Sequence, residues 1–249
     1  MMALPDRFVS DQLLSKAIKA GVVLVLGACI LSQIMLQLGG DPRDEPIDVT
    51  DQLPESVAND TGLLDARAPF ISSGGLFYPE KAVFDIGLVL GGLLFLGLGV
   101  EMFVRTQDGL GPIKRSPWRS LFNLAQLGTA LVVGTSLVML TRNPFNISFL
   151  AHIMYAMLIF QVGVAWTAAL TLSRWSLDRG LLWRGLSINR IRLALVASGF
   201  LSFQLMIYLV TSGQLYTSAV FEWTLTFSME ATALTLLPLL VAASKGESE

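Results

Sequence analysis

Histidine and cysteine are almost missing from this sequence. The one cysteine, Cys29, excludes an intramolecular disulfide and any zinc site built from several thiolates. The one histidine, His152, excludes a multi-histidine metal centre. Charge is scarce as well. Only 14% of the 249 residues are Asp, Glu, Lys or Arg, against about a quarter in an average soluble domain. The deficit is uneven: long stretches are nearly free of charge, and the charged residues gather between them. This pattern excludes a soluble globular enzyme, a disordered chain and a nucleic-acid binder with a basic face. The net charge of −2 carries no polyanion signal. There is no serine elbow, no phosphate loop and no metal cluster, so neither a cofactor nor a metal is expected.

What is present is apolar residues, 53% of the chain. A helix needs about 20 of them in succession to cross a bilayer. Six stretches qualify: Ala17–Leu38, Ala82–Val104, Ser120–Leu140, Phe149–Leu172, Ile191–Thr211 and Phe221–Ala242. The first is too long for a cleaved signal peptide. Short alternating segments of the barrel type are absent. The expected fold class is all-α: residues 1–249 form one polytopic membrane bundle of six transmembrane helices with a long first extracytoplasmic loop. If the N-terminus is cytoplasmic, thirteen of the 17 Lys and Arg residues fall on the inner side. Lys and Arg accumulate in cytoplasmic loops, so both termini are expected to be cytoplasmic.

The first outer loop, residues 39–81, is acidic. It holds Asp41, Asp44, Glu45, Asp48, Asp51, Glu55, Asp60, Asp65 and Glu80. Its Pro, Gly and Asp content predicts turns and irregular chain, with room for one short helix. Asn59-Asp60-Thr61 fits the glycosylation triplet and matters only in a eukaryotic host. Within the loop, residues 66–79 are too apolar to float in water and are expected to pack back on the bundle.

Ionisable residues inside a span are costly, so each needs a reason. Asp85, His152 and Glu222 fall at similar depth, about one turn into the outer leaflet, with Glu80, Tyr78 and Arg142 just above. Glu80, Asp85, His152 and Glu222 either share a polar pocket or are solvated near the headgroups. A direct or water-bridged His152–Glu222 hydrogen bond is the expectation that follows from the pocket. Glu230 lies eight residues beyond Glu222, about 12 Å deeper. Gln161 and Gln204 fall at similar depth, and a midplane layer of Gln161, Gln204 and Glu230 is expected, as structural hydrogen bonding or as a functional group. Gln126 reads as packing glue, Glu101 as an interfacial residue, and Gly87-x-x-x-Gly91 as a site of close helix approach.

The segment Pro69-Phe-Ile-Ser-Ser-Gly-Gly-Leu-Phe-Tyr-Pro79-Glu-Lys-Ala-Val-Phe84 resembles the P-[YF]-I-S-[DA]-x-G…P-E-x-x-[IVL]-F block of the DRAM/FRAG/SFK family, the damage-regulated autophagy modulators and their relatives. Ala151-His152 resembles the family's A-H opening of the fourth span, and Phe221-Glu222-Trp223…Phe227-Ser228 its E-W-x-x-x-F-S opening of the sixth. The resemblance covers nearly the whole chain. It marks Pro69, Ile71, Ser72, Gly75, Pro79, Glu80, His152, Glu222 and Trp223 as family-motif positions. Ser73 departs from the usual Asp. Asp85 and Glu230 stand where the family usually has apolar or small residues.

The resemblance implies two settings: autophagy and lysosomal membranes, or lipid remodelling of glycosylphosphatidylinositol (GPI) anchors, as in the N-terminal region of a yeast cell-wall protein. A plasma membrane or endomembrane location of Golgi or lysosome type goes with these settings in a eukaryote. Three functions stay open. The first is lipid handling or remodelling, of a GPI-anchor-like lipid or phospholipid, through the outer-leaflet polar pocket. The alternative is a non-enzymatic regulator or scaffold. The third is a transporter that uses the midplane residues. Membrane lipids are the expected partners, with protein partners open and nucleic acid excluded. Catalysis is left open.

Overall fold

A computed structural model describes residues 7–53, 63–114 and 117–240. Six long helices account for most of it: α1 Asp11–Leu38, α2 Glu80–Lys114, α3 Pro117–Arg142, α4 Phe149–Arg174, α5 Ile188–Thr211 and α6 Leu215–Leu234. Residues 237–240 resume helix after a turn. The helices overrun the apolar stretches because their ends carry their own signals. Ser10 caps α1 by accepting from the Leu13 N–H at 3.3 Å, and Asp11 adds a negative charge to the first turn. Pro117 opens α3, where its missing N–H costs nothing. Gly111, at φ 52° and ψ 166°, breaks α2 three residues before its end.

Five helices are long and apolar enough to cross a membrane: α1, α2 as far as Gly111, α3, α4 and α5. The expected sixth, α6, does not meet that composition among the described residues. Glu222, Thr224, Thr226, Ser228, Glu230 and Thr232 dilute its apolar face. Residues 241–242 of the expected sixth stretch lie outside the described residues.

Successive helices pack side by side, and α6 returns to α1 and α4. Between apolar helices in lipid, burial from water supplies little drive, so close fit matters most. Gly87 and Gly91 of α2 supply it against α1. A Cβ on Gly87 would stand 2.0 Å from the Ala28 Cβ, and one on Gly91 would stand 2.3 Å from the Val25 Cγ2. This glycine pair is therefore spent within the chain. One core cluster includes Cys29, Ile71, Phe84, Leu137 and Leu225; the other includes Ile18, Met102, Trp166, Leu170 and Leu236. Phe95 meets Trp166 edge to face, with centroids 4.7 Å apart.

The loop after α1 contains more structure than turns alone. A two-residue antiparallel ladder joins β1 (Ile47–Asp48) to β2 (Leu63–Leu64), and 3-10 turns form at Thr50–Gln52 and Ile71–Gly75. Residues 54–62, with Asn59, lie outside the described residues. A second ladder, β3 (Leu182–Trp183) with β4 (Leu186–Ser187), connects α4 to α5.

Candidate functional site

The motif segment 66–79 is packed into the bundle. Ile71, Ser73, Gly74, Gly75 and Leu76 are buried. Two glycines permit this: a Cβ on Gly74 would stand 2.2 Å from the Ser32 Oγ, and one on Gly75 would stand 2.8 Å from the Phe84 ring. Polar groups from two helices then satisfy the backbone of the turn. The Trp223 indole N–H donates to the Pro69 carbonyl at 2.9 Å, and the Gln33 amide donates to the Phe70 carbonyl. The Ile71 N–H donates to the Glu222 Oε2 at 3.2 Å. Gln37 donates to the Arg67 carbonyl at 2.8 Å, and Arg67 returns a bond to the Gln37 carbonyl at 2.7 Å and pairs with Asp44.

Glu80 is fully buried at the start of α2. Arg43 reaches it with two parallel bonds, Nε to Oε1 at 2.7 Å and Nη2 to Oε2 at 2.9 Å, a bidentate geometry. Arg43 also donates to the Tyr78 carbonyl at 2.9 Å and lies 5.8 Å from the Phe77 ring centre. Hydrogen bonding to Glu80 holds the Arg43 guanidinium above its ordinary range. Exposed Tyr78 and Arg142 do not join the inner groups.

No direct His152–Glu222 hydrogen bond is formed. The motif turn occupies Glu222, and the end of α3 occupies His152. The His152 Nδ1 lies 2.8 Å from the Asn143 carbonyl, and its ring meets Phe145 edge to face at 5.6 Å. A carbonyl accepts only, so Nδ1 carries the proton. The Nε2 is then buried without a partner. Asp85 pairs with Lys81 at 2.8 Å, and Lys81 also points at the Thr141 carbonyl at 3.4 Å. Lys81 and His152 thus both serve the last carbonyls of α3, where donors and positive charge are favoured. Gln52 fastens the neighbouring turn, donating to the Asn146 carbonyl at 3.1 Å and accepting from the Phe149 N–H at 2.6 Å. Each of Glu80, Asp85, His152 and Glu222 has its own partner, and no hydrogen bond or ion pair joins one of the four to another among the described residues.

The midplane layer does not assemble either. Gln161 and Gln204 are exposed on the outer faces of α4 and α5. Glu230, half-buried, instead lines a crevice with a cavity of about 30 Å³ between α1, α2, α3 and α6. Its neighbours there, including Ile18, Gly21, Val25, Gly91 and Leu94, are all apolar. Glu230 has no hydrogen bond among the described residues. Gln126 donates to the Gly99 carbonyl at 3.5 Å, a link between α3 and α2.

The opposite end of the bundle holds ion pairs that hydropathy does not reveal. Glu101 is not interfacial: it is 3% exposed, bonded to Arg105 at 2.6 Å and to the Phe8 N–H at 3.0 Å. Buried Asp178 takes two bonds from Arg174, at 2.9 and 3.0 Å, and one from Arg192 at 2.5 Å. Arg174 also donates to Thr106 at 2.9 Å and Arg192 to the Thr235 Oγ1 at 2.7 Å. Sequence reasoning missed this network, as it missed Arg43: Arg174 and Asp178 are only four residues apart, but their burial depends on Arg192, Thr106 and Thr235 from other elements. The only advance signal was an Asp and two Arg at the borders of apolar stretches.

Helices of membrane length, glycine-mediated packing and a motif turn inserted among the helix ends define a multi-pass integral membrane protein. The family model described as Frag1/DRAM/Sfk1/Cwh43P N-terminal domain matches residues 49–237, and the chain belongs to this family. No curated protein and no solved structure matches it significantly.

Proposed function

We infer that this chain is a lipid-handling membrane protein without catalytic chemistry of its own. It crosses the bilayer six times, α6 included, with both termini cytoplasmic. It engages lipid in the crevice around Glu230 rather than in an outer-leaflet polar pocket. The observation that carries this reading is the Glu230 carboxyl: it stands without a hydrogen bond in an otherwise apolar crevice between membrane-length helices. A water there would need two to four polar partners, and the lining offers one. A cavity of this size admits one small donor group, so a lipid hydroxyl or amide would reach the carboxyl while its chains stay outside, along the apolar helix faces. The outer residues argue against catalysis because each is turned to a separate structural partner: Glu80 to Arg43, Asp85 to Lys81, Glu222 to the Ile71 N–H and His152 to the Asn143 carbonyl. The family's settings in lipid remodelling and autophagy agree with a lipid-binding role.

The test is lipid mass spectrometry of the protein purified from membranes. A lipid bound in stoichiometric amount is expected, and Glu230→Leu should remove it. Gly21→Ala should weaken it as well. Its new Cβ would stand 3.7 Å from the Leu94 Cβ, an ordinary contact that narrows the crevice without a clash. Equal lipid content in all three proteins would overturn the crevice. The second reading, a scaffold or regulator, is favoured by the rigid seating of residues 66–79, which presents a fixed outer surface to a partner.

A further inference from the structure

At the end of the bundle opposite the acidic loop, the β3–β4 hairpin turns sharply. Trp183 faces Leu186 across the ladder. Arg184 and Gly185 form the turn with φ of 50° and 82°. Two successive left-handed residues suit the twist of a two-residue hairpin. The base is fixed. The Ile188 N–H donates to the Leu181 carbonyl at 3.1 Å, and the Leu181 N–H to the Asp178 carbonyl at 3.2 Å. Asp178 itself is locked between Arg174 and Arg192.

This anchoring leaves an unusual surface. Leu182, Trp183 and Leu186 are 61%, 45% and 64% exposed. Arg179, Arg184 and Arg190 are exposed beside them, and none has a hydrogen bond or ion pair among the described residues. The one carboxylate between α4 and α5 is Asp178, and the buried network consumes it. The outside of the connection is therefore apolar and cationic without internal compensation.

We propose that this hairpin is a binding site for anionic phospholipid headgroups. Trp183 and Leu186 seat in the bilayer interface, and Arg179, Arg184 and Arg190 hold the phosphates. Three observations favour lipid over an acidic soluble protein. The helix α5 begins three residues after Gly185 and α4 ends ten residues before Arg184, which keeps the hairpin beside the bilayer on the multi-pass reading. Tryptophan concentrates at the level of the headgroups. Guanidinium forks match phosphate oxygens, and the anionic cytoplasmic leaflet attracts basic segments beside a span. The proposal rests on the multi-pass reading and is independent of the Glu230 crevice.

The full chain is reconstituted in phosphatidylcholine vesicles with and without phosphatidylserine. A polarity-sensitive label is placed on Leu182→Cys; buried Cys29 stays unreactive. The label should shift toward an apolar signal when phosphatidylserine is present, less so at high salt. In native mass spectrometry, phosphatidylserine retention relative to phosphatidylcholine should fall about fivefold for each arginine removed in R179Q, R184Q and R190Q. Glu230→Leu should leave both readouts unchanged, which separates this site from the crevice. Thermal unfolding in detergent confirms that the triple variant is folded; if it is not, the single variants are read. Equal phosphatidylserine retention in wild-type and variant proteins overturns the proposal. So does a label signal that is the same in both lipids. A water-like signal in both would give the surface to an acidic protein instead.

Discussion

Glu222 accepts the Ile71 N–H at 3.2 Å across 151 positions of sequence. A carboxylate that would be costly inside a helix bundle thus becomes the partner of a buried backbone donor in the motif turn. Removing the acceptor leaves the N–H unsatisfied, at about 1–3 kcal/mol. Glu222→Gln keeps an acceptor oxygen and should preserve the turn. Glu222→Ala should open residues 66–79 to protease and speed hydrogen exchange at Ile71. Equal protection in both variants would show that Glu222 does not hold the turn.

Glu80 gives a stronger test. It is fully buried, and Arg43 is the only charged side chain bonded to it among the described residues. Breaking a buried pair from one side costs about 3–5 kcal/mol, whereas replacing both partners with apolar groups costs far less. Arg43→Ala should therefore lower the unfolding temperature in detergent sharply. Arg43→Met combined with Glu80→Leu should recover much of the loss. If the single and double variants melt together, the pair is not a lock.

The bundle was legible because the bilayer imposes a length rule on apolar stretches. The loop packing was legible because Phe70, Ile71, Leu76 and Phe77 are too apolar for an acidic loop. Which way each polar side chain points was not. Gln161, Gln204 and Glu230 share a depth by residue count, but depth does not set helix rotation, and only Glu230 lines the crevice. His152 and Glu222 also share a depth. The motif turn and the end of α3 offer each of them a backbone partner, an outcome that span positions alone do not contain.

The outer ladder should respond to acid. Thr50 bonds hold the Asp48 carboxyl below its usual range, with its N–H 2.9 Å from Oδ1. A depressed folded value contributes stability that is present above the unfolded carboxylate range and lost as pH falls through the folded one. Exchange protection at Ile47–Asp48 should therefore fall on acidification from neutral pH, and Asp48→Asn should flatten that dependence. A profile unchanged by Asp48→Asn would sever the link. Exposure of the carboxylate keeps the effect small.

Orientation is testable with single thiols, since Cys29 is 1% exposed. Asp51→Cys should react with an impermeant maleimide on intact cells or correctly sided vesicles. Leu182→Cys should react only after permeabilisation. The reverse pattern would invert the whole chain and place the basic hairpin on the outer side.

Asp178 should prove the most sensitive polar position at the hairpin end. Arg192 is fully buried and Arg174 is 8% exposed, and both lean on the same carboxylate. Asp178→Ala leaves two buried guanidiniums without a counter-charge, and the loss of one partner from such a network costs about 3–5 kcal/mol. Asp178→Glu keeps the charge but lengthens the arm, and should fall between the variant and the parent. The readout that separates local from global damage is the hairpin itself. Because the Asp178 carbonyl holds Leu181, loosening this turn should speed amide exchange at Leu181 and Ile188 before α4 and α5 unfold. Uniform exchange across α4, α5 and the hairpin would show that Asp178 stabilises the bundle as a whole rather than fixing the tip.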